Sequence, residues 1–234
     1  MNPGTALLDL LFPPKCPFCQ KILDDPRAPV CPACQPALPW LSGQGAERKV
    51  EFADGCFSPL AYRDQVREAV QRYKFTPVPA YGAPFGLLMA QCLTDHLSQA
   101  PDLLTWAPLS SRRLRERGFD QARLLARRAG QRLNVPLVPT LKKVRHTRLQ
   151  SSLEGESARR TYALGAYAQL PQIDLAGKRV VLVDDVVTSG STLGECARLL
   201  RQAGAAQVFC LTLAQAGPAR WEPAPDAKIN RKNG

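Results

Sequence analysis

Residues 180–192 read VVLVDDVVTSGST: four apolar residues lead into two adjacent aspartates, followed by hydroxyl side chains around one glycine. Carboxylates repel phosphate but accept protons from the vicinal hydroxyls of a sugar, so Asp184 and Asp185 suit a ribose. Thr188, Ser189, Ser191 and Thr192 can donate to an anion, and Gly190 lets the backbone turn close to it. A helix opening at this turn would add free N–H groups and a positive dipole end. Together the two halves fit a ribose 5-phosphate. Two other readings stay open: an acidic turn before an ordinary capped helix, and an aspartate that accepts a phosphoryl group.

A second set of chemistry-bearing residues lies near the start. Cys16 and Cys19 form one C-P-x-C pair, and Cys31 and Cys34 another. Two tight turns that each present two thiolates make a tetrahedral S4 site, which suits zinc; with all four positions filled by sulfur, the metal would hold structure and leave no place for a reacting water. Disulfide or redox roles are the competing reading, and they require an oxidising compartment. Gln20 and Gln35 stand where glycine often follows such a turn. Cys56, Cys92, Cys196 and Cys210 are scattered in apolar surroundings and read as buried core.

The elements that position these residues follow from pattern. KRVVLVDD predicts a strand that ends at the aspartates, STLGECARLLRQAG a helix closed by Gly204, and AAQVFCLTLA a second strand. This β-α-β unit implies a parallel sheet with helices on its faces and ligands at the carboxyl ends of its strands. Upstream, strands are expected near Cys56 to Tyr62, at LLTWAP (residues 103–108) and at Val135 to Val138. Helices are expected at about Asp64 to Tyr73, around Ala83 to Leu97, and from Asp120 to Leu133 with Asp120 as N-cap. Residues 1–38 have too few apolar residues for a core of their own and would need the metal to fold. They are expected to form a zinc module, residues 39–217 the main α/β domain, and residues 218–234 a flexible tail in which Trp221 is isolated.

The chain carries 31 Lys and Arg against 20 Asp and Glu, a formal charge of +11. The segment from Arg112 to Arg148 alone holds twelve basic residues against Glu116 and Asp120. Such a focused field attracts polyanions such as nucleic acid or phosphorylated small molecules; the alternative is a set of solvated helix faces. No stretch has the length of a membrane span, and the first sixteen residues lack the basic start and cleavage site of a signal peptide, so a cytoplasmic location without membrane insertion is expected.

The Asp-Asp stretch resembles the phosphoribosyl pyrophosphate (PRPP) motif of type I phosphoribosyltransferases. Together with the four N-terminal thiols, Arg117-Gly118-Phe119-Asp120-Gln121, and Arg145-His146-Thr147 with Gln150, it is similar to the ComF family. The resemblance implies a parallel-sheet type I phosphoribosyltransferase-like domain with a small four-cysteine zinc module. It also implies that Asp184 and Asp185 bind ribose hydroxyls and that Thr188, Ser189, Gly190, Ser191 and Thr192 hold the 5-phosphate. Pro108, Leu109, Ser110 and Ser111 fall where such proteins hold pyrophosphate, and Arg145 and Arg148 lie in the segment that closes over it, with magnesium bridging pyrophosphate and ribose. At Asp120 the family often has asparagine. Two functions follow as expectations: a DNA-uptake or DNA-processing accessory that binds PRPP or single-stranded DNA beside an ATP-driven helicase, and an active phosphoribosyltransferase of nucleotide salvage or recycling.

Overall fold

The structure, a computed structural model, describes residues 13–75, 79–144 and 164–217. Its strands are β1 (Glu47–Arg48), β2 (Gly55–Phe57), β3 (Leu60–Ala61), β4 (Leu103–Trp106), β5 (Leu141–Lys143), β6 (Tyr167–Gln169), β7 (Arg179–Val187) and β8 (Gln207–Gln215). Its α-helices are α1 (Asp64–Phe75), α2 (Gly82–His96), α3 (Ser111–Arg117), α4 (Gln121–Leu133) and α5 (Ser191–Gln202).

β7 and β8 form the centre because their residues are apolar on both faces. Val180, Val181, Leu182 and Val183 are fully buried, and alternate ones face opposite layers. Val181 and Val183 pack toward α1, α2 and α4, while Val180 and Leu182 pack toward α5 and the β5–β6 ribbon. The main sheet runs β1-β2-β8-β7-β4, with β3 also on β8, and every pairing is parallel except β1 with β2. The expected strand from Cys56 to Tyr62 is divided into β2 and β3 at Ser58 and Pro59, since proline has no N–H for the ladder.

Two sequence expectations need correction, and two elements went unannounced. β7 continues past the aspartates to Val187, held by pairing with β8 through Val186↔Ala214 and Val187↔Gln215. Val135 to Val138 is no strand: Leu137 makes one isolated bridge to Leu104, and Pro136 and Pro139 remove the donors a ladder needs. α3, inside the basic segment, has no buried residue and therefore no apolar stripe to announce it. The β5–β6 ribbon joins two three-residue strands too short to show a period.

The cysteine segment packs against the main core. Phe18 lies 5.8 Å from Phe85 of α2 between ring centroids, and Arg72 of α1 donates from Nη2 to the carbonyls of Pro17 (2.9 Å) and Phe18 (2.8 Å). Cys56, Cys92, Cys196 and Cys210 are all buried, as expected. Among the described residues no helix is long and apolar enough to cross a membrane. Arg145, Arg148 and the rest of the 145–160 segment, together with the tail and Trp221, lie outside the described residues.

Candidate functional site

β4 stops at Trp106, opposite Val183, so Asp184 to Val187 have a ladder partner only on the β8 side. Parallel sheets bind ligands in the crevice at such a point, where a neighbouring strand ends. Asp184 and Asp185 sit at its wall. They are half-buried within the strand, which pairing with β8 carries past them: the Asp185 side chain is 13% exposed. Burial, and then the charge of Asp185, push the Asp184 carboxyl up to about 7. The Asp185 N–H donates to Asp184 Oδ1 at 2.8 Å, which fixes the two groups relative to each other.

A set of cations faces this pair. Lys74 Nζ, near the end of α1, lies 2.8 Å from Asp185 Oδ1; burial lowers its pKa, but the charge of Asp185 and the bond to it, together with Asp184 and Tyr62, raise it overall. The pKa of Arg117, at the end of α3, is lowered by burial, while Asp185, Asp184 and Asp120 pull it back up. Its Nη1 donates to Gln121 Oε1 at 2.9 Å. Lys143 of β5 is lowered by burial and then by Arg113, with Asp184 acting in the opposite sense. Lys74 lies outside the basic segment. Its signal in the sequence was a single lysine in a helix, and nothing there could pair it with a carboxylate over a hundred residues away.

The turn after the aspartates has the form its residues require. Gly190 has φ of 79°, a conformation that strains any other residue, and a Cβ there would meet Val50 Cγ2 at 3.3 Å. It is the N-cap of α5 and, as glycine, supplies no capping side chain; the Ser191 N–H makes only a long contact to Ser189 Oγ, at 3.5 Å. Ser189 Oγ and Ser191 Oγ are 2.8 Å apart, and Thr188 is exposed. Only Val186 and Val187 separate the turn from the aspartates.

Pro108 to Ser111 leave the sheet alongside the same crevice. The Ala107 N–H donates to the Val183 carbonyl at 3.0 Å, one residue before Asp184. Asp120 holds this loop: its Oδ2 accepts from Leu109 N–H (3.2 Å) and Trp106 Nε1 (3.3 Å), while Oδ1 accepts from Arg123 N–H (3.0 Å) as the cap of α4. Burial raises the Asp120 pKa, and those donors hold it back. Ser110 caps α3 by accepting from Arg113 N–H at 3.4 Å.

The four thiols lie on the other side of α1. Their sulfurs are all within 4.8 Å of one another, with Cys19 and Cys31 at 3.5 Å. A tetrahedral zinc with bonds of about 2.3 Å places sulfurs roughly 3.8 Å apart, so the donor set fits that ion. Burial alone would raise the Cys31 thiol, but the Cys34 amide and neighbouring thiols bring it down to about 7; burial and the neighbouring thiols push Cys34 up. Gln20 takes the left-handed backbone expected of glycine (φ 67°). Its amide donates to the Cys16 and Pro17 carbonyls, and its Oε1 accepts from Tyr81 Oη at 2.5 Å.

Residues 117–230 match the phosphoribosyl transferase domain family, and residues 7–46 match the double zinc ribbon domain family. With that match and the donor geometry, Cys16, Cys19, Cys31 and Cys34 are a structural zinc site. The chain is 27% identical over 223 residues to Competence protein F of Haemophilus influenzae, covering 86% of this chain and 97% of that one. It is 33% identical to DNA utilization protein YhgH of Salmonella typhimurium, covering 84% and 82% of the two chains. It is 29% identical to Competence protein ComFC of Bacillus subtilis, covering 67% and 62%.

Proposed function

The chain belongs to the ComF family, and from that premise we propose that it is an accessory of DNA uptake or DNA processing built on a PRPP-binding fold. One observation carries the reading: a half-buried carboxylate pair stands on the part of β7 that runs beyond the end of β4, and the same strand leads into the hydroxyl-rich turn that opens α5. Asp184 and Asp185 accept from the ribose hydroxyls, and the Thr188 to Thr192 turn donates to the 5-phosphate. Lys74 holds Asp185 in the free protein and must release it to the sugar. The pyrophosphate takes the Pro108 to Ser111 loop, within the field of Arg113, Arg117 and Lys143. Carboxylate oxygens suit magnesium, which when bound neutralises charge between pyrophosphate and ribose.

The partner surface in this reading is α4. Arg123, Arg127, Arg128 and Arg132 are exposed, while Ala122, Leu125, Ala126 and Ala129 bury the opposite face. A row of four exposed guanidinium groups suits the backbone of single-stranded DNA, delivered beside an ATP-driven helicase.

Active transfer is the second reading, favoured by the cations around the carboxylates. The bond between the sugar C1 and pyrophosphate breaks with its electron pair leaving on pyrophosphate, the acceptor nitrogen bonds to C1 and gives up a proton, and Asp185 stabilises the cationic ring.

Calorimetry with PRPP and magnesium, and with ribose 5-phosphate, tests the site. The parent should release heat with both, and Asp184→Asn with Asp185→Asn should bind each at least about 100-fold more weakly while remaining folded. A folded double variant that binds PRPP as tightly as the parent would sink the assignment.

A further inference from the structure

Recognition of a nucleic-acid base needs an aromatic face, and the basic segment from Arg112 to Arg148 contains one aromatic residue, Phe119. The fold does not offer it: Phe119 packs against the core, edge-on to Tyr73 at 5.5 Å. It exposes Phe75 instead, the last residue of α1, with 74% of its surface open. Arg117 reaches this ring from α3, with its guanidinium carbon 5.3 Å from the centroid and Nη1 tied to Gln121 Oε1. The residue before Phe75 is Lys74, bonded to Asp185, and Arg117 is itself within the field of both aspartates. An exposed aromatic ring flanked by a fixed guanidinium, at the rim of a carboxylate pair, satisfies no core requirement. A cation beside the ring strengthens its attraction for a second flat π-system.

We propose that Phe75, backed by Arg117, is a stacking platform for a nucleobase at the mouth of the Asp184–Asp185 crevice. The inference rests on the ribose-phosphate reading of that crevice, and two links join ring and carboxylates: Lys74, the residue before Phe75, lies 2.8 Å from Asp185, and Arg117, 5.3 Å from the ring, is within the field of both aspartates. The base belongs either to a free nucleotide whose sugar enters the crevice or to a single strand that passes its rim.

Binding is measured for parent, Phe75→Ala and Phe75→Trp with ribose 5-phosphate, the four ribonucleoside 5′-monophosphates, a 12-mer DNA strand and an abasic 12-mer. Phe75 is exposed, so these variants keep the fold, and circular dichroism verifies it. Phe75→Ala should weaken base-bearing ligands about five- to hundred-fold, Phe75→Trp should restore them, and ribose 5-phosphate and the abasic strand should change less than about two-fold. Loss confined to the monophosphates identifies a free nucleotide, and loss confined to the DNA strand identifies a threaded one. Equal weakening of base-bearing and base-free ligands, or none, overturns the platform. A parent that ignores ribose 5-phosphate yet loses DNA affinity on Phe75→Ala breaks the crevice reading and keeps the platform.

Discussion

The cysteine cluster and the aspartate pair each crowd like acids at one point, and α1 touches both. Arg72 holds the carbonyls of Pro17 and Phe18 in the first cysteine turn, and Lys74 holds Asp185. Residues two apart on a helix point about 200° from each other, so the end of α1 separates the two sites while being anchored in each. The difference lies in what completes the shell. Four sulfurs surround one point and leave no position open, whereas the aspartates face a crevice and are only partly neutralised by Lys74. A closed set of donors serves stability, and an open set keeps its capacity for a ligand at the expense of stability.

The sharpest way to break this contrast is Cys31→Ser. One zinc should leave, as read by metal analysis of protein purified without chelator. Because Phe18 shares the core with Phe85 and α1 is tied to the same turn, the loss should extend into the main domain. A fall in the thermal midpoint of more than about 10 °C is expected, given how much folding free energy such zinc sites supply. A variant without zinc that melts within about 2 °C of the parent would show the module to be a mere appendage.

The open site should respond with the opposite sign. Burial and the charge of Asp185 raise Asp184 from 3.8 to about 7, so the folded protein holds a proton that the unfolded chain gives up. That contribution to stability is complete below the unfolded value and is lost as pH rises through about 7. Asp184→Asn removes the ionisation, so at pH 8 it should be more stable than the parent by about 1–3 kcal/mol, the gain vanishing near pH 4. Denaturant titrations at pH 4, 6 and 8 check this; a variant less stable than the parent at pH 8 would mean that the carboxylate supports the fold.

The smallest effect on stability is expected at α4, which belongs to neither site. Replacing Arg123, Arg127 and Arg128 with alanine should move stability by no more than about 0.5 kcal/mol, because all three side chains are exposed. It should instead weaken single-stranded DNA binding and reduce the salt slope by about two, the share of three phosphate contacts on a single strand. An unchanged slope would return these arginines to ordinary solvated surface.

Whatever depends on neighbours along the chain was legible in the order of residues. The C-P-x-C pairs announced the zinc site, the apolar run and its following helix announced the β-α-β unit, and Asp120 announced the cap of α4, whose side chain accepts from Arg123 N–H as expected. Local chemistry sufficed because a tight turn, a helix cap and a helical period each involve only a few consecutive residues. Tertiary structure alone decided where β7 ends, since pairing with β8 carries it past two charges that looked like a terminus. It also decided that Asp184 is buried enough to stay partly protonated, that Lys74 answers Asp185 across more than a hundred residues, and that Phe75 rather than Phe119 offers an open ring. Burial, ladder pairing and charge contact between distant segments depend on separation in space, which the order of residues does not contain until the sheet has brought β4, β7 and α1 together.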